Sequence, residues 1–135
     1  MSYAAAEALQ AAIYARLQGD AALGALVGAA VFDAVPAGTP PETYVVIGPE
    51  EVTDASDRTG RGAEHRVVVS VVSGAAGFSR AKAAAVAVSD ALEGAPLLLA
   101  RGRLVGLWFL RASARRRETG ALRRVDLVFR ARVEL

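Results

Sequence analysis

His65 is the only histidine in this chain of 135 residues, and there is no cysteine. One imidazole cannot supply a histidine metal cluster or a two-histidine proton relay within one subunit. It reads instead as a half-exposed polar residue at the start of a strand. The missing thiols remove disulfides, thiolate metal sites and thiol nucleophiles together, and fit a reducing compartment. Glu50, Glu51, Asp54 and Asp57 offer oxygen ligands to a hard cation, but not in the ordered alternation of a calcium loop. They read as a solvated loop or as salt-bridge partners for a neighbour. Gly60-Arg61-Gly62 leads into a strand, whereas phosphate-binding glycines lead into a helix. Gly74-Ala75-Ala76-Gly77 does precede a helix, yet no Gly-Lys-Ser/Thr follows, so it reads as a turn and cap. Ser70, Ser73, Ser79, Ser89 and Ser113 lack the Gly-x-Ser-x-Gly setting of a hydrolase nucleophile. The expectation is a protein with no catalytic residues, no metal and no cofactor, which is not an enzyme and works through its surfaces.

The residues best suited to that work are Arg115, Arg116 and Arg117, with Arg123 and Arg124 after a short gap. Clustered arginines suit phosphates or carboxylates. Nucleic-acid contact would call for aromatic platforms, and only Trp108 and Phe109 are near in sequence. Arginine's forked donors favour carboxylates across a protein interface, so salt bridging to a protein is preferred and a basic nucleic-acid-binding hairpin is the alternative.

Charge is distributed accordingly. The total is only +2, but residues 101–135 hold ten arginines against three acids, a net of +7, and residues 1–100 hold six basic groups against eleven acids, a net of −5. Such polarity can fold back on itself, join copies of the chain, or meet an outside partner.

The elements that must position these groups follow from periodicity. Residues 2–17 place Ala6, Leu9, Ile13 and Leu17 on one helical face. Asp20 caps a short helix over residues 21–27, and residues 31–35 fit a short strand. Pro36, Pro40 and Pro41 make a rigid connector before the strand Tyr44-Val45-Val46-Ile47. Residues 50–63 are polar and glycine-bearing and predict a mobile loop. Residues 65–73 predict a central strand, with valines on both faces. Ser79 caps a helix with an inward stripe of Ala81, Ala84, Ala85, Val88 and Leu92, small enough to approach a sheet closely.

Residues 103–117 and 122–135 form a hairpin about Glu118-Thr119-Gly120, the last strand alternating Val125, Leu127, Phe129, Ala131 and Val133 with charged residues. Its fourteen residues would span roughly 45 Å, more than a compact domain's diameter of roughly 35 to 40 Å. The arginine-rich tip should therefore protrude, or the strands must bend. The sum is an α/β (α+β) domain over residues 1–135, with a mostly antiparallel sheet of four to five strands and two main helices. No signal peptide is expected, and no apolar run approaches the roughly 20 residues of a membrane span.

The order of a helix, Pro-Pro-Glu-Thr-Tyr-Val-Val-Ile-Gly, a polar segment, Glu64-His65-Arg66-Val67-Val68-Val69-Ser70-Val71, the Gly74 turn, the helix over residues 81–92, Gly102-Arg103-Leu104-Val105-Gly106-Leu107 and Val128-Phe129-Arg130-Ala131 resembles the tail completion, or tail terminator, family of long-tailed phages. The alanine- and arginine-rich style is similar to the version carried by gene transfer agents. The resemblance implies a small α/β subunit of a six-membered ring that caps the tail tube and meets a head-side connector or stopper. It further implies assembly in the bacterial cytoplasm, a place at the head–tail junction, and DNA only as cargo passing through. It brings no catalytic residues. In such a ring Glu51, Asp54 and Asp57 of one copy would face Arg115, Arg116, Arg117, Arg123 and Arg124 of the next.

Overall fold

The computed structural model describes residues 3–116 and 121–135. In chain order the elements are α1 (Ala6–Gln18), α2 (Ala21–Val27), β1 (Val31–Phe32), β2 (Thr43–Asp54), β3 (Gly62–Ser73), α3 (Ser79–Leu92), β4 (Arg103–Arg116) and β5 (Arg123–Glu134). The strands make one sheet in the order β1-β2-β3-β5-β4. β1 runs parallel to β2, and all other pairs are antiparallel. The fold is α+β, and the valine-rich β3 is the central strand.

One face of the sheet is covered by helices because odd-numbered residues of β3 and β5 point there together. Val67, Val69 and Val71 pair with Phe129, Leu127 and Val125. All are buried with Leu9, Ile13 and Leu17 of α1, Leu23 of α2, and Ala81, Ala84, Val88 and Leu92 of α3. Each fully buried branched side chain contributes about 1.5–3 kcal/mol, so this face carries the stability of the fold. Asp20 caps α2 as expected, its carboxylate accepting from Leu23 N–H at 2.9 Å. Ser79 does not cap α3: it is the first helical residue, and Phe78 before it offers no side-chain acceptor.

Half of the segment expected to be a mobile loop over residues 50–63 is strand. β2 continues to Asp54, which pairs with Ala63 of β3, past an irregularity between Ile47 and Glu50 that absorbs Pro49. Only residues 55–61 form the turn, and they are tied down. Asp57 accepts from the N–H and hydroxyl of Thr59, each at 2.9 Å, and from Gly60 N–H at 3.0 Å. Arg132 Nη2 donates to Ala55 O at 2.8 Å, and Leu135 N–H donates to Arg61 O at 3.0 Å. Polar residues are tolerated here because this end of β2 has little helix over it, so strand pairing does not require burial.

The described part of the C-terminal hairpin does not project. Arg123 and Arg124 pair with Ser73 and Val72, flush with the end of β3. β4 takes up its extra length at two bulges, between Leu104 and Gly106 and between Phe109 and Arg111. The turn expected at Glu118-Thr119-Gly120 lies outside the described residues.

Candidate subunit interface

The face of the sheet opposite the helices presents the even-numbered residues of β3 and β5, and most of the charge. At its centre is Asp126. Its carboxylate accepts from the Ser70 hydroxyl at 2.6 Å and from Arg124 Nε at 2.8 Å, and Arg115 Nη2 lies 3.5 Å away. Arg124 Nη2 also donates to Ser70 Oγ at 3.1 Å. Partial burial pushes the Asp126 carboxyl up, but the Ser70 and Arg124 hydrogen bonds and the charges of Arg124 and Arg115 outweigh it and hold the group below its ordinary value. Two of the clustered arginines are thus offset inside the subunit, by an acid of their own hairpin. Arg115 and Arg124 are cross-strand partners, and such a pair is destabilising unless an anion lies between them.

The remaining predicted residues are dispersed. Arg116 is exposed at the end of β4, opposite Arg123. Arg123 is half-buried, donates from Nη1 to Ala75 O at 3.2 Å and Ala121 O at 3.1 Å, and lies 5.5 Å from the Phe78 ring centre. It acts as a local tie. Arg117 lies outside the described residues. Glu51 is exposed on β2, on the rung that runs through Arg66 and Arg130 to Trp108. Asp54, at the end of β2, accepts from the Ser56 hydroxyl at 2.8 Å. Asp57 sits in the turn, where the Thr59 amide and hydroxyl, the Gly60 amide and the Arg132 charge lower its pKa. The acids and the arginines therefore lie toward opposite flanks of one sheet, and also toward opposite ends of its strands.

Groups that sequence reasoning passed over complete the picture. Arg130 joins Glu64 at 3.4 Å and stacks over the Trp108 ring at 4.6 Å. Its alternation with core residues marked it only as outward-facing. His65 is fully buried rather than half-exposed, with Nδ1 3.0 Å from Glu50 Oε2. It pairs with Ala131 and faces the core because β3 begins three residues earlier than expected. Among the described residues no group of acids and histidine is arranged to hold a metal ion. No described helix is long and apolar enough to cross a membrane.

Two clefts flank the sheet on its helix side. One, of about 620 Å³, is lined by Tyr3, Glu7, Tyr14, Asp33 and Glu50 among others. The other, of about 360 Å³, lies between α3 and β4 and is lined by Lys82, Val86, Phe109 and Ala112 among others. Both are open surface grooves without a convergent set of catalytic groups.

Comparison with known proteins places the chain in a family. The tail completion protein gp17 family matches residues 11–134. A chain in the solved virion of a native gene transfer agent particle is 67% identical, with 99% of this chain and 100% of that one covered and a TM-score of 0.95. No curated protein sequence matches significantly. The chain is a structural protein of a phage-like tail and belongs to the tail completion protein gp17 family, in a form similar to that of gene transfer agents.

Proposed function

We propose that the protein is a tail terminator: a ring of identical subunits, six in number, that caps the finished tail tube and offers its other surface to the head-side connector or stopper. The observation that carries this reading is the separation of charge across one sheet, with Glu51 and Asp54 on β2 and the exposed Arg116 at the end of β4. Two different patches on opposite flanks give a heterologous contact, which closes into a ring when the rotation between copies divides a full turn. DNA passes through as cargo, assembly takes place in the bacterial cytoplasm, and the subunit performs no reaction.

The alternative of a nucleic-acid-binding hairpin has less support. Arg115, Arg124 and Arg130 are engaged by Asp126 and Glu64, and the Trp108 ring that could stack on a base has Arg130 over it.

Deleting the gene tests the proposal. Capsids and tails should accumulate unjoined, with tubes of irregular or excessive length. Complete joined particles that merely lack DNA would overturn it. Mass measurement of the purified protein with tube ends should find a ring.

A further inference from the structure

The two clefts on the helix side stand at the same height on the sheet. Glu50 pairs with Val67, Val67 with Phe129, and Phe129 with Phe109, so one rung runs from the first cleft to the second. A second rung, three residues further along β3, runs from Phe32 through Val46, Ser70 and Asp126 to Ser113. A copy placed beside this one in the same orientation therefore brings its first cleft against the second without sliding along the strands. A closed ring requires contacts that repeat by rotation alone, and an unstaggered contact satisfies that in the simplest way.

Chemistry matches as well as height. The first cleft carries Glu7, Asp33 and Glu50 with the Tyr3 and Tyr14 rings, and its lining includes no cation. The second carries Lys82 and no acid, on an otherwise apolar floor. That floor is open: Val86 is 59% exposed and Phe109 40%, because α3 covers β4 only as far as Leu107. The strand edge beside it is open too. Leu107 O accepts from Gly94 N–H at 2.8 Å and Phe109 N–H donates to Glu93 Oε2, which caps the edge there. Beyond the bulge, residues 112–116 have no backbone partner other than β5 among the described residues. A long open edge beside exposed apolar side chains is normally covered in a soluble protein.

We propose that the occupant is a second copy of this chain. Its α1–β2 flank seats Tyr3 and Tyr14 on the Val86–Phe109 floor and sets Glu7 and Asp33 against Lys82. This deepens the ring reading and rests on it, and it names the contact as α1–β2 against α3–β4 rather than turn against hairpin tip.

The chain has no cysteine, so engineered thiols report cleanly. Tyr14→Cys and Val86→Cys combined in one chain should give, on oxidation with tube ends present, a ladder of cross-linked multimers ending at the ring. Either substitution alone should give none. Lys82→Glu should weaken association by about tenfold, as a like-charge contact at an interface does, and Glu7→Lys added to it should restore assembly. Dimers from a single thiol would reveal a symmetric contact and overturn the proposal. Rings by mass with no cross-linked ladder would overturn this contact and leave the ring reading standing. No assembled species at all would end both.

Discussion

The Ser70 hydroxyl donates to the Asp126 carboxylate at 2.6 Å from the neighbouring strand, and the same oxygen accepts from Arg124 Nε at 2.8 Å. One acid thus holds a buried hydroxyl and a half-buried cation where β3, β5 and β4 run side by side. Asp126→Asn should cost about 1.5–3 kcal/mol in urea unfolding, the range for hydrogen bonds to a charged group. Because the folded chain lowers this carboxyl's pKa, its contribution is present above the ordinary value of 3.8 and is lost as pH falls below that through the folded value. The variant should accordingly lose less stability than the parent on acidification below that point. A parallel loss in both would show that Asp126 is not the linked group.

The buried His65 depends on Glu50 for the partner of Nδ1. Glu50→Ala should destabilise by about 1–3 kcal/mol through the orphaned ring nitrogen, and Glu50→Gln, which can still accept, by less. Equal urea midpoints for the two variants would contradict this.

Gly106 gives Trp108 its seat. A Cβ on residue 106 would fall within 2.3 Å of the indole ring, so Gly106→Ala must swing the ring away from Arg130. Trp108 is the only tryptophan, and its emission reports the change. The variant's spectrum should shift with little change in circular dichroism, and an unshifted spectrum would mean that the ring keeps its place.

The arginines separate into two kinds. Reversing Arg111 and Arg116 together to glutamate, both exposed, should weaken ring formation or attachment to the tube and leave the subunit folded. High salt should act in the same direction but more mildly, since exposed pairs are screened and each contributes little. Reversing Arg123 should in addition lower stability, because its guanidinium ties Ala75 O and Ala121 O together. Sedimentation and circular dichroism separate the outcomes. An Arg111/Arg116 reversal with unchanged assembly would count against a charged interface.

Much of the fold was legible in the residues alone. The stripe Leu9, Ile13, Leu17 and the stripe Ala81, Ala84, Ala85, Val88, Leu92 are buried as their spacing predicts, as are the alternating Val125, Leu127, Phe129, Ala131 and Val133. Periodic burial is a local property: each such residue faces the core because its neighbours at fixed offsets do. What only the tertiary structure decided is which strand lies beside which. The order β1-β2-β3-β5-β4 places the acids of β2 and the arginines of β4 on opposite flanks, turns half of an apparent polar loop into paired strand, and buries His65 against Glu50. Strand order and register come from contacts between residues distant in the chain, such as Ser70 with Asp126, 56 positions apart. No periodicity within one segment encodes its partner, so the exposed residues were identifiable by type while the interface they form depended on the assembled sheet.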